Sequence, residues 1–159
     1  VLGIPVIAIV AIIVALILAF LTIKTKLGRN IYALGGNKES AWYSGINVKL
    51  HTLIVFIISG LCAGIAGIVL LGRVGSAEPA AATGFETYAI AAAIIGGTSF
   101  FGGKGKIHGV VVGGLIIGVI NYGMNILSLS STLQQVVMGA LIIGSVALDR
   151  FVGSKNTSK

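Results

Sequence analysis

The chain has 159 residues, of which 56% are hydrophobic and 9% charged, against roughly a quarter charged in an ordinary soluble domain; its mean hydropathy is +1.06. So little charge cannot clothe a water-exposed surface, which excludes a soluble fold. The formal net charge of +7 is spread over short stretches between apolar runs, the pattern of membrane-protein loops rather than of a stripe that binds nucleic acid.

Five apolar segments follow one another. Residues 4–23 are twenty residues without a charge, enough to cross about 30 Å of hydrocarbon. Residues 50–71 form the second span, 88–101 the third, 107–127 the fourth and 133–148 the fifth. The start, Val1-Leu2-Gly3, has no Met and no basic stretch of signal-peptide type, so residue 1 is expected to lie inside a longer gene product.

Loop charges set the expected orientation, because Lys and Arg concentrate on the cytoplasmic side. The loop 24–49 carries Lys24, Lys26, Arg29, Lys38 and Lys49 against Glu39, and is expected inside. The next, with Arg73, Glu78 and Glu86, is expected outside. Lys104 and Lys106 put the third loop inside, the uncharged 128–132 lies outside, and the tail with Arg150, Lys155 and Lys159 lies inside. The third segment is short, since fourteen residues of helix reach only about 21 Å. A dip re-entering from the outer side would place all the later basic residues outside, so the charges favour a crossing.

Glycine spacing points to close helix packing. Between helices in lipid, contact of small residues supplies much of the attraction, and Gly60-x-x-x-Gly64, Gly109-x-x-x-Gly113 and Gly114-x-x-x-Gly118 each offer such a face. Gly96-Gly97 and Gly102-Gly103 are candidates for irregular backbone at membrane depth, which must be buried in protein or line a cavity. Asn121 and Asn125, four residues apart, share one face of the fourth span. They suit either hydrogen bonds between helices or the lining of a polar route.

Reaction chemistry is not visible. Residues 97–104 resemble a phosphate-binding loop only superficially: Thr98 stands where the first Gly is required and Gly105 where a hydroxyl should follow the Lys. His51 and His108 lie at membrane boundaries without a partner at ligand spacing, and Cys62 is a lone packing residue, so neither metal nor cofactor is expected. All four acids, Glu39, Glu78, Glu86 and Asp149, fall in loops or at span edges, which disfavours an ion-coupled transporter with an acid at mid-membrane.

The loop 24–49 holds the strongest functional feature. Asn37 suits an N-cap, Glu39 the positive end of a helix and Gly45 its end, which predicts a two-turn helix over 38–44. Trp42 and Tyr43 are bulky groups on a solvated loop. They read either as an interfacial anchor or as a docking surface for a cytoplasmic partner that closes in beside the small Ala41.

The stretch 28–37, Gly-Arg-Asn-Ile-Tyr-Ala-Leu-Gly-Gly-Asn, with 44–48, Ser-Gly-Ile-Asn-Val, resembles the coupling loop of sugar ABC permeases of the ribose, galactoside and xylose type. The likeness continues in Gly84-Phe85-Glu86, in Ala89-Ile90-Ala91-Ala92, in Gly96-Gly97-Thr98-Ser99 with Gly102-Gly103, and in Asn121-Tyr122-Gly123-Met124-Asn125. It covers nearly the whole chain. The chain departs from the family in lacking a Pro after the coupling motif and in having Tyr88 where an acid is common.

The resemblance implies an all-α polytopic protein in the inner membrane, surrounded by lipid. It implies a non-catalytic permease working as a pair of copies, each bound to a cytoplasmic ATPase subunit and fed by an extracytoplasmic sugar-binding protein. ATPase coupling would fall to Glu39, Ser40, Ala41, Trp42, Tyr43 and Gly45. The substrate pathway would involve Glu86, Gly96, Gly97, Thr98, Ser99, Asn121 and Asn125. Five spans with the N-terminus outside and the C-terminus in the cytoplasm would make the C-terminal half of a permease built from repeats. A branched-chain amino-acid permease, an ion-coupled secondary transporter and a structural subunit without a pathway are the alternatives.

Overall fold

The computed structural model describes residues 5–76, 80 and 82–156, with side chains described through residue 147 and at Asp149. Glu78 and Lys159 lie outside the described residues, as do the side chains of Arg150 and Lys155. The chain divides into two compact units, Val1–Ala81 and Ala82–Lys159. All regular structure among the described residues is helical.

In the first unit, helix α1 spans Val6–Lys24. Thr25 then breaks the helix and caps the next one, α2, Lys26–Gly36: its hydroxyl oxygen accepts from the Gly28 N–H at 3.2 Å. The break is tight enough that a methyl group on Gly28 would overlap the Thr22 carbonyl. Asn37 caps α3, Lys38–Tyr43, with Oδ1 accepting from the Ser40 N–H at 3.0 Å. Asn47 repeats this arrangement for α4, Val48–Val74, accepting from the Leu50 N–H at 3.0 Å. Helix α4 ends on Arg73, favourable beside the negative helix end, and on Gly75 at φ 72°.

Helices α1 and α4 bury none of their residues within the unit. Val6, Phe56 and Ile68 are each more than 70% exposed on this chain, so these apolar faces call for cover by lipid or by further protein. Among the described residues, α1, α4 and α6 are long and apolar enough to cross a membrane.

The second unit holds α5, Phe85–Ile95, α6, Ile107–Ile126, and α7, Ser131–Asn156. Helices α5 and α6 are antiparallel and touch backbone to backbone. A methyl group on Gly113 would overlap the Ala92 carbonyl, and one on Gly109 the Gly96 carbonyl. Ala91, Ala92, Ile117, Met124 and Met138 form the core.

Two boundaries differ from the sequence expectation. The segment 88–101 is helical only to Ile95, because Gly97 at φ 85° turns the chain. There the Gly97 N–H reaches the Ile94 carbonyl and the Thr98 N–H reaches that of Ala93, a Schellman closure. The last helix begins at Ser131 and runs past residue 148 to Asn156; Asp149-Arg150 ends the apolar stretch but supplies no stop signal for helical backbone. Segment 84–99 lies along α7. Gly84 adjoins Gln135 and Ser99 binds Asp149, so it runs beside about 21 Å of α7 at 1.5 Å per residue.

Candidate functional site

Helix α3 is closed at both ends. After Tyr43 the chain turns through Gly45 at φ 80°. The Gly45 N–H donates to the Trp42 carbonyl at 2.9 Å and the Ile46 N–H to that of Ala41 at 3.1 Å, the paired bonds of a Schellman motif. A two-turn helix with an Asx cap and this closure presents its side chains in fixed directions.

Outward go Trp42 and Tyr43, 64% and 79% exposed, with ring centroids 5.1 Å apart and planes at 64°. They line an open hollow of about 680 Å³ together with Lys38, Glu39 and the segment 45–49. The structure thus gathers Glu39, Trp42, Tyr43 and Gly45 on one surface.

Ala41 corrects the expectation. It is 3% exposed and turned inward, so its side chain does not lie on the surface with Trp42 and Tyr43. Its small size serves the packing of α3 within the unit, where Leu34 of α2 is also buried. Ser40 does not line the hollow. Its N–H is taken by Asn37, and its carbonyl accepts both the N–H and the hydroxyl of Ser44.

His51 and Asn30 belong to this region and carried no sequence signal as a pair. The Asn30 amide nitrogen lies 3.0 Å from His51 Nε2, and His51 Nδ1 lies 2.8 Å from the Asn47 carbonyl oxygen. His51 is therefore satisfied by protein groups across two helices.

The expected pathway residues do not form one pocket. Glu86 is exposed on the first turn of α5. Asn125 donates to the Asn121 side-chain oxygen at 2.8 Å and accepts from Gln134 at 3.2 Å. Gln134, 8% exposed, also donates to the Leu129 carbonyl at 3.0 Å. Asn125 thus links α6 to α7 through Gln134, the member that spacing alone does not reveal, while the Asn121–Asn125 bond stays within α6.

Gly96, Gly97, Thr98 and Ser99 lie at the opposite end of α6. Sixteen helical residues, about 24 Å, separate Asn125 from Gly109, which faces Gly96. There the Ser99 hydroxyl is committed to Asp149 at 2.9 Å, and Thr98 packs against Gly105. Among the described residues no group of three or more His, Cys, Asp or Glu could hold a metal ion.

Comparison with known proteins places the chain in a permease family. Residues 2–146 match the family model described as branched-chain amino acid transport system / permease component. The chain belongs to that permease family. It is 68% identical over 152 residues to the D-allose transport system permease protein of Escherichia coli K12, covering 96% of this chain and 47% of that protein. The ribose import permease protein of Bacillus subtilis is 46% identical over 149 residues, 94% of this chain and 46% of that one. The xylose transport system permease protein of Haemophilus influenzae is 42% identical over 147 residues, 92% and 39%. The chain thus spans about half the length, or less, of these curated relatives. No solved structure matches it.

Proposed function

We propose that the chain is the C-terminal half of the membrane-spanning permease of an ATP-driven importer, and that a monosaccharide of the allose, ribose or xylose class is its cargo. The observation that carries this reading is the identity to a D-allose permease over nearly the whole chain. The permease itself performs no reaction. It supplies two shapes whose balance is shifted by ATP hydrolysis on a cytoplasmic subunit and by a sugar-binding protein on the other side. A second permease copy completes the pathway, and lipid covers the apolar faces of α1 and α4.

The surface of α3 is the joint with the ATPase on this reading. Transmission needs a rigid element bearing groups that a partner can grip. Helix α3 has both, in its two closed ends and in the paired rings of Trp42 and Tyr43 over the hollow. The bracketing of segment 84–99 by Gln135 and Asp149 supports a crossing third segment, and with the loop charges a cytoplasmic C-terminus.

Uptake tests the reading. Cells lacking their own importers receive the full-length permease with its ATPase and binding protein, and labelled D-allose, D-ribose, D-xylose and L-leucine are supplied in turn. At least one of the sugars should accumulate, and accumulation should stop when the ATPase is made hydrolysis-dead. Sugar uptake that persists without ATP hydrolysis, or uptake of leucine alone, would refute it.

A further inference from the structure

We propose that Asn30 and His51 are positioning residues of the transport cycle, their hydrogen bond tying α2, and through it the docking helix α3, to the first turn of α4. The inference rests on the reading of α3 as the ATPase joint.

The proton positions follow from the partners. A carbonyl oxygen can only accept, so the His51 Nδ1 that lies 2.8 Å from the Asn47 carbonyl carries the proton. The other nitrogen, Nε2, then presents its lone pair to the Asn30 amide N–H at 3.0 Å. Both ring nitrogens are used, and histidine suits the place because it donates at one edge while accepting at the other. Asn30 sits inside α2, where asparagine is a poor helix former; the reach to His51 gives it a use there.

The mechanical consequence comes from the connections. Helix α3 joins α4 through residues 44–47, a turn that contains the positive-φ Gly45. A push on Trp42 and Tyr43 could be absorbed by that turn alone. Helix α3 packs on α2 and is joined to it by Asn37, whose N–H closes α2 on the Ala33 carbonyl and whose side chain caps α3. The Asn30–His51 bond returns from α2 to α4, closing a loop of contacts around the turn. The bond adds a directional tie to the packing of α2 and α3 against α4, so that the three move together; its loss loosens the transmission of a shift of α3 to α4.

The test uses the full-length permease purified with its ATPase and reconstituted in liposomes with the binding protein. ATP hydrolysis and uptake are measured together, with D-allose or whichever of D-ribose and D-xylose the wild type moves. Asn30→Ala and His51→Ala should keep the ATPase bound and hydrolysing, while sugar moved per ATP falls about fivefold or more, as for loss of a coupling free energy. The double variant should be no worse than either single one, since both remove one bond. His51→Gln, whose amide oxygen can still accept from Asn30, should recover most of the coupling. Unchanged sugar per ATP in both alanine variants, additive losses in the double variant, or loss of the bound ATPase in both would overturn the proposal. Any of these beside a wild type that does move sugar on ATP leaves the permease reading standing; a wild type that moves none overturns that reading itself.

Discussion

The hydroxyl of Ser99 donates to the carboxylate of Asp149 across 2.9 Å, tying the turn after α5 to a helix position fifty residues further along the chain. A hydrogen bond to an ionised group contributes about 1.5–3 kcal/mol, and half-exposure of both residues puts this one at the low end. Ser99→Ala is expected to lower the stability of the purified permease by roughly 1.5 kcal/mol. Asp149→Ala should add little in the Ser99→Ala background. A double-mutant cycle in detergent checks this; additive losses would mean that the bond is absent in the membrane protein.

The same contact bears on topology. Gly84 beside Gln135 and Ser99 beside Asp149 bracket one length of α7, so the segment between them advances from one end of α7 toward the other and does not double back. In a Cys62→Ala background, a cysteine at Ser130 should react with an impermeant thiol reagent in intact cells. Cysteines at Ser44 and Phe101 should react only after the membrane is opened. Labelling at Phe101 from outside would show a re-entrant dip.

Neighbouring glycines on α6 should behave oppositely. A methyl group on Gly113 meets the Ala92 carbonyl, whereas one on Gly114 meets nothing. Gly113→Ala should destabilise by about 1–3 kcal/mol through forced separation of α5 and α6. Gly114→Ala should be neutral or stabilise by up to about 1 kcal/mol through helix propensity. Thermal unfolding of the two variants side by side makes the comparison.

Ser128 closes α6 with the left-handed φ of 53°, using the same pair of bonds that Gly45 and Gly97 make elsewhere: its N–H reaches the Asn125 carbonyl and the Leu129 N–H that of Met124. A non-glycine residue there costs roughly 1–2 kcal/mol, partly offset by the greater freedom of glycine when unfolded. Ser128→Gly is expected to stabilise by about 0.5–1 kcal/mol, read as a raised melting temperature. A lowered one would show that the hydroxyl makes a contact worth more than the strain.

What the sequence made legible were features written in single stretches. Helices α1, α4 and α6 are continuous apolar runs, and α3 is bounded by Asn37 and Gly45, whose side-chain chemistry and backbone freedom dictate their places. Helix α2 is harder to read because Gly28, Arg29, Asn30 and Gly35 look like loop. Its signal is the Thr25 cap with Leu27, Ile31 and Leu34 at helical spacing. Which face of α3 turns inward depends on its packing against α2, so the burial of Ala41 is not legible in the sequence. Pairs such as Asn30 with His51 or Ser99 with Asp149 join residues far apart in sequence, and no local periodicity records them. Ala41→Asp would therefore put a carboxylate beneath α3 and break the joint itself, which makes it a poor probe of docking.

The outward rings give the direct probe. In the Cys62→Ala background, Tyr43→Cys is made in the full-length permease and treated with a short bifunctional thiol reagent while the ATPase subunit is present. The expected result is a covalent permease–ATPase product whose yield changes when ATP is bound, with sugar uptake lost once the link forms. A Tyr43→Cys variant that never links to the ATPase, yet is labelled by a lipid-soluble reagent and transports normally, would contradict it and leave Trp42 and Tyr43 as an anchor in the headgroup layer.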